Sequence, residues 1–164
     1  GDVIYSESVK VTQEVKARIT MNLKTGGSPK DTITVKVDRY TFDGVYKGGF
    51  EDETVNSNAK PLYVAFDTSP GKYVITVSKP QCIARVYEIY LYKDDISFDV
   101  KITVPYDVNM DGVINVVDAT LVQKYIVGLE EFDDYTLKIA DTNGDGTISE
   151  VDETNIQKKI VNLL

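Results

Sequence analysis

The sequence predicts an all-β sandwich over residues 1–104 followed by a small all-α module over residues 105–164. In the first part, six or seven short segments alternate apolar and polar residues with a period of two, as half-buried strands do. After Pro105 the apolar residues instead recur at helical spacing. The sequence of residues 107–130 also returns at residues 141–164, with 13 identities in 24 positions. The chain therefore changes fold class at a sharp boundary and duplicates a unit beyond it.

The strand segments follow one another with short turns between them. The first two, "VKARITMNL" and "DTITVKVDRY", are predicted to bury Val15, Ala17, Ile19, Met21, Leu23, Ile33, Val35 and Val37. The later ones are "PLYVAF", "KYVITVSK", "IARVYEIYLY" and "ISFDVKITV". The segment around "EDETVNSNAK" is predicted to be an irregular polar loop. This pattern favours an antiparallel β-sandwich.

The second part carries two helical stripes. They comprise Val122, Ile126 and Leu129, and, 34 residues further on, Ile156, Ile160 and Leu163. Each set has i, i+4, i+7 spacing, so each predicts one amphipathic helix. The duplication therefore predicts two equivalent helices.

Charge is distributed unevenly along the chain. The net charge is −8, and residues 1–104 contain 14 acidic and 14 basic side chains against 12 acidic and 4 basic ones in residues 105–164. Nucleic acid and anionic membrane are poor partners for such a C-terminal surface, whereas a cation suits it. No apolar run approaches transmembrane length. Since the chain lacks an initiator methionine and a signal peptide, we expect a trimmed or mature fragment.

The chain contains one cysteine and no histidine. A single Cys82 excludes a disulfide framework and a multi-cysteine metal site, and we expect it to be a buried packing thiol. The lack of histidine removes His-based triads and imidazole ligands. Enzymes built on carboxylates alone remain open, but no catalytic constellation is recognisable, so we expect no enzyme.

Two twelve-residue stretches, "DVNMDGVINVVD" and "DTNGDGTISEVD", share their acidic and amide positions. A hard divalent cation takes six to eight oxygen ligands, and a loop of this spacing supplies them from alternate positions, a backbone carbonyl and the following helix. Glycine at position six, Gly112 and Gly146, permits the sharp turn. The predicted calcium ligands, two sites in all, are Asp107, Asn109, Asp111, Val113, Asn115 and Asp118, and Asp141, Asn143, Asp145, Thr147, Ser149 and Asp152. Val113 and Thr147 are assigned through their carbonyls, and Asn115 and Ser149 through a bound water.

The loops differ from sensor EF-hands in two respects. Position twelve is aspartate, Asp118 and Asp152, instead of glutamate. The first loop also follows "DVKITVPY", which is strand and proline, and the second follows only the short "YTLKIA". These are therefore EF-hand-like loop–helix units.

This combination resembles the dockerin family over residues 106–164. The resemblance implies a secreted bacterial protein, extracellular or on the cell surface, whose dockerin binds a cohesin module of a scaffoldin or cell-surface anchoring protein in a cellulosome-like assembly. It implies calcium as the structural cofactor. It also places partner contacts at loop positions ten and eleven and along the helices: Val116, Val117, Gln123, Lys124, Glu150, Val151, Gln157 and Lys158.

The two repeats are unlike at several of those positions. Val116 stands against Glu150, and Ala119 against Glu153. We therefore predict a single binding mode through the first repeat, with Val116, Ala119 and Gln123 on the contact surface. For Val116 and for Leu121 the alternative is ordinary core packing.

The segment "SPGKYVITVSKP" is similar to one in carboxypeptidase-regulatory-like, prealbumin-type sandwiches. That resemblance implies an immunoglobulin/prealbumin-like fold and a non-catalytic spacer of the kind called an X module when it precedes a dockerin. "KITVPYD" leaves almost no linker, because flexible tethers are rich in Ser, Thr, Gly or Pro. We therefore expect the two modules to dock rigidly.

Three alternatives stay open. One is a carbohydrate-binding or adhesin protein whose calcium-binding tail only stabilises it, with the tyrosines of "VYEIYLYK" as a possible sugar-stacking face. Another is an EF-hand calcium sensor, which the missing helix and the position-twelve aspartates disfavour. The last is an enzyme.

Overall fold

The computed structural model describes residues 14–164, in which eight strands precede three helices. The first thirteen residues of the predicted sandwich, residues 1–13, lie outside this range. The strands are β1 (Ala17–Thr25), β2 (Thr32–Tyr40), β3 (Tyr46–Gly49), β4 (Glu53–Asn56), β5 (Tyr63–Thr68), β6 (Gly71–Ser78), β7 (Arg85–Leu91) and β8 (Ile96–Ile102). The helices are α1 (Val116–Ile126), α2 (Asp134–Ala140) and α3 (Glu150–Ile160).

The strands form two sheets that pack as a sandwich. One sheet has the order β5-β1-β8, and the other has the order β3-β2-β6-β7 with β4 also paired to β2. Ile19, Met21 and Val100 from the first sheet and Val35 and Ile75 from the second have no exposed surface. They belong to one hydrophobic cluster, so the predicted β-sandwich with a core between its sheets is confirmed.

Three details of the predicted sheet are wrong. The two strands β3 and β4 lie where an irregular loop was expected, and both pair with the same edge of β2. The sheet is not wholly antiparallel, because β1 pairs with β8 in parallel. Val15 precedes β1 and is 56% exposed, since the first residue of the strand is Ala17.

The helical module contains the two equivalent helices that the duplication predicts. Helices α1 and α3 are each 11 residues long and pack against each other. Val122 and Ile156 are fully buried, but Leu129 and Leu163 are 76% and 73% exposed. Each helix ends before its last stripe residue, so the third position of each predicted stripe is wrong.

The sandwich and the helical module share a polar contact next to the connection between them. The hydroxyl of Tyr135 in α2 accepts a hydrogen bond from the Thr103 amide at 3.0 Å and donates one to the Ile83 carbonyl at 2.7 Å. Arg85 lies over the Tyr135 ring, 4.6 Å from its centroid, and pairs with Asp133 at 3.2 Å. Burial raises the pKa of Tyr135 to about 12, so the hydroxyl stays protonated and keeps its donor.

No helix within residues 14–164 is long and apolar enough to cross a membrane.

We expect Tyr135→Phe to lower the free energy of unfolding by about 1–3 kcal/mol. The change leaves the buried Thr103 amide without its acceptor and removes the donor to Ile83, and an unsatisfied buried group costs about this much. Urea unfolding in calcium measures the loss. Tyr92→Phe serves as the control because Tyr92 is 64% exposed, and an equal loss in both variants would contradict the role of Tyr135.

Candidate metal loops and partner surface

Each predicted loop lies between a different pair of elements. The first, Asp107–Asp118, begins after the four residues that follow β8 and runs into α1. The second, Asp141–Asp152, directly follows α2 and runs into α3. The expected difference before the loops is therefore present: a strand precedes the first and a short helix the second. The last three residues of each loop form the first helical turn.

The glycine at position six adopts the backbone conformation that the turn requires. Gly112 has φ +90° and Gly146 has φ +84°, a left-handed region where a Cβ atom is disfavoured. A Cβ on either residue would meet nothing within 4 Å. The requirement for glycine is therefore one of backbone conformation and not of space.

Backbone amides orient the acidic side chains in both loops in the same way. The Asp107 carboxylate accepts from the Asp111 amide at 3.1 Å and the Gly112 amide at 3.0 Å. Asp141 accepts from the corresponding amides of Asp145 and Gly146 at 3.2 and 2.9 Å. Two loops of different surroundings thus repeat one hydrogen-bond pattern.

The side chains at positions three and five are joined to each other. The Asn109 amide nitrogen donates to Asp111 at 2.9 Å, and the Asn143 amide nitrogen donates to Asp145 at the same distance. In each loop the position-five carboxylate also accepts from the amide at position seven, at 2.8 Å. The oxygens predicted to be ligands therefore lie on one compact loop.

Within residues 14–164, no three Asp, Glu or Cys side chains are gathered as a metal site by themselves. A site in these loops needs carboxamide and backbone carbonyl oxygens beside the carboxylates. The predicted donor set has that composition and consists of oxygen alone, which suits calcium and not a soft metal. On this observation the residues present fit a calcium ion.

The aspartates at position twelve are fully buried, and their surroundings differ. Burial raises the pKa of Asp118, and the amides of Asn115 and Asn109 offset this only in part. Burial acts in the same direction on the pKa of Asp152, but hydrogen bonds from Ser149 and Thr142 outweigh it and hold this pKa below its usual range. The Thr142 hydroxyl, 3.0 Å from Asp152, has no counterpart in the first loop, where valine stands at that position.

Comparison with known families decides what this arrangement is. Residues 105–161 match the family model described as "Dockerin type I domain". This segment belongs to the dockerin family. Dockerin type I domains are generally calcium-binding, in agreement with the oxygen donors of the loops.

Two solved structures are similar to the chain, with low sequence identity and low TM-scores. An N-terminal interface mutant of a type II cohesin–X-dockerin complex from Acetivibrio cellulolyticus has 19% sequence identity and a TM-score of 0.37, over 87% of this chain and 94% of that one. A C-terminal interface mutant of the same type of complex has 17% identity and a TM-score of 0.34, with the same coverage. No curated protein matches the chain. The family match therefore carries the assignment of the dockerin domain.

Most residues predicted to contact a partner lie on the surface of the dockerin domain. The exposed ones are Val116, Val117, Gln123, Lys124, Glu150, Val151, Gln157 and Lys158. The prediction for Ala119 is wrong, because its side chain is only 2% exposed and belongs to the hydrophobic core. Glu153, which occupies the equivalent position in α3, is half-buried and accepts from Gln123 at 2.8 Å and from Gln157. The core-packing alternative for Val116 is also wrong, since Val116 is 69% exposed.

Sequence reasoning missed the role of position nine as a helix cap. Asn115 and Ser149, assigned to a bound water, are the N-caps of α1 and α3. Each completes a capping box with the aspartate three residues later, Asp118 or Asp152. The pattern of Asn or Ser followed by an acidic residue at the third position before a helix could have indicated it. Asn115 and Ser149 therefore occupy a predicted ligand position and also serve as the N-caps of their helices.

We expect Ser149→Ala to lower the free energy of unfolding of the calcium-saturated protein by about 1 kcal/mol, the usual cost of losing an N-cap. Ser149→Asn copies the first repeat and should retain most of the stability. Urea unfolding at saturating calcium measures both. If the alanine and asparagine variants lost the same amount, the cap would not be the source of the effect.

Proposed function

We propose that this chain is a non-catalytic, calcium-dependent adhesion module. Its dockerin domain binds a cohesin module of a scaffoldin or cell-surface protein, outside the cell, and anchors the parent protein in a cellulosome-like assembly. The observation that carries the proposal is the pair of duplicated oxygen-lined loops, each leading directly into one of two packed helices whose outer residues are exposed. A surface made by two helices offers a partner a rigid face.

Calcium acts in this proposal as a structural cofactor, with one ion in each loop. The ligands are the twelve residues of the two sets beginning with Asp107 and Asp141. Without an ion, each loop holds three aspartates close in sequence, and like charges in one site repel. The dockerin domain is too small to offset this with its core alone, as small modules usually rely on a metal or another staple.

The division into residues 1–104 and 105–164 is part of the same proposal. The sandwich acts as an X-like spacer or stabiliser held rigidly against the dockerin domain. Beyond Tyr135, this is supported by the Tyr106 amide, which donates to the Ile139 carbonyl at 3.2 Å. The connection between the modules is thereby itself hydrogen-bonded to α2.

A second candidate function is carbohydrate binding by the sandwich. Phe42 and Tyr92 stack with their ring centroids 5.0 Å apart and are 47% and 64% exposed. Exposed aromatic faces are suited to stacking on a sugar ring. Retarded migration in gels containing plant polysaccharides, lost in Tyr92→Ala, would favour this candidate.

The deciding experiment is binding of the intact chain to a panel of bacterial cohesins in calcium and in chelator. We expect binding to one cohesin class in calcium only, together with a loss of helical circular dichroism in chelator, because metal binding and folding of the loops are coupled. Binding that persists in chelator, or unchanged helical dichroism, would contradict calcium dependence. No binding to any cohesin with calcium still bound would turn attention to the carbohydrate candidate.

The predicted single binding mode is tested by one substitution made in each repeat. Val117 and Val151 occupy position eleven of the two loops and are 48% and 54% exposed. We expect Val117→Glu to weaken cohesin binding about 30-fold, as burying a charge at the centre of an interface costs about 2 kcal/mol or more. Val151→Glu should leave the affinity unchanged. Glutamate is well tolerated in the first turn of a helix, so both variants should fold.

Titration calorimetry against the cohesin measures the two affinities. Equal moderate losses in both variants would indicate two binding orientations. A loss confined to Val151→Glu would place the contact on the second repeat and overturn the prediction.

A further inference from the structure

Among residues 14–164, the first predicted calcium loop has a hydrogen bond from the sandwich to its first aspartate, and the second loop has none to its own. The Thr103 hydroxyl, immediately after β8, donates a hydrogen bond to Oδ2 of Asp107. The residue four positions before Asp141 is Leu137, which has no donor on its side chain. The Asp141 carboxylate accepts hydrogen bonds from the loop amides of Gly144, Asp145 and Gly146. The first-position aspartate of the first loop is thus held from outside its loop, and that of the second loop by amides of its own loop.

Thr103 is itself fixed by the sandwich and by α2. Its side chain and backbone are 1% exposed, its amide donates to Tyr135 and its carbonyl accepts from the Ile83 amide at 2.9 Å. A Cβ atom at Gly26, which follows β1, would collide with the Thr103 hydroxyl. The Gly26 amide instead donates to the Ile102 carbonyl at 2.9 Å. Glycine at this position leaves the space in which the hydroxyl sits.

The two carboxylate oxygens of Asp107 accept different numbers of hydrogen bonds. In the described part of the chain, Oδ2 accepts from both the Thr103 hydroxyl and the Gly112 amide, while Oδ1 accepts from the Asp111 amide alone. The more fully satisfied oxygen fixes the plane of the carboxylate, and the other retains a free lone pair for a ligand. Asp107 has no exposed surface, so water does not compete for this orientation.

We propose that Thr103 is a positioning residue for the first calcium loop, through which the sandwich sets the calcium affinity of that loop and not of the second. This inference rests on the proposed calcium binding. A hydrogen bond from outside the coordination shell orients a ligand, and its loss typically lowers metal affinity 10- to 100-fold. The sandwich is then part of the first calcium site and more than a spacer.

The test follows calcium titration of the intact chain by amide NMR, with Gly112 reporting on the first loop and Gly146 on the second. Thr103→Val keeps the shape of the side chain and removes the donor. We expect about a 10- to 100-fold higher midpoint at Gly112 and a smaller change at Gly146. Thr103→Ser keeps the hydroxyl and should retain a midpoint close to that of the unmodified protein. Thr20→Val, a half-buried threonine in β1, is the matched control.

An unchanged Gly112 midpoint in Thr103→Val, or equal changes at both glycines, would overturn the proposal. If Thr103→Val does not fold, Gly26→Ala decides in the same way, because it displaces the hydroxyl from the sandwich side without altering the loop. Absence of calcium shifts at both glycines in the unmodified protein would instead refute calcium binding itself. That result is distinct from a calcium-binding protein in which Thr103 has no effect.

Discussion

The dockerin domain depends on carboxylates that have no contact with solvent. Asp107, Asp118 and Asp152 are fully buried, and a buried charge is tolerated only when it is hydrogen-bonded, paired or bound to a metal. In each loop the backbone folds so that its own amides point at these groups. The loop conformation, the left-handed glycines and the start of each helix all follow from this requirement.

The same carboxylates link the loops to the helices. Asp118 accepts from the amides of Asn109 and Asn115, so it joins the early part of the loop to the N-cap of α1. Asp152 joins Asn143 to Ser149 in the second repeat in the same way, at longer range for Asn143. A residue that would bind calcium at the end of the loop is therefore also the residue that closes the capping box. Loss of the metal and fraying of the helix would then be one event.

Strands and loops that follow from a local sequence pattern could be predicted from the sequence. Features that depend on contacts between residues distant in sequence could not. Alternation located Ile33 and Val35 in the core, and spacing located both loops. The glutamate at the equivalent position of the other repeat predicts an exposed Ala119. The small Ala119 side chain instead lies in the core. The strand β3, with glycine at two of its four positions, carries little strand propensity and exists because β2 offers an unpaired edge. The contact of Thr103 with Asp107 has no sequence signature, since it needs the strand, the loop and Gly26 to meet.

The two loops have similar sequences but different structural surroundings. The first loop follows a strand and reaches Thr103, whereas the second follows α2 and has its backbone continued by a helical hydrogen bond from the Asp141 amide to Leu137. At the other end of the loops, burial raises the pKa of Asp118, whereas hydrogen bonds from Ser149 and Thr142, the Thr142 hydroxyl among them, outweigh burial and lower the pKa of Asp152. In the metal-free loops the Asp118 carboxylate therefore takes up a proton at a higher pH than the Asp152 carboxylate does. The first repeat thus has a first-position carboxylate oriented from the sandwich and a position-twelve carboxylate that ionises less readily, so two loops of similar sequence hold their aspartates in different environments.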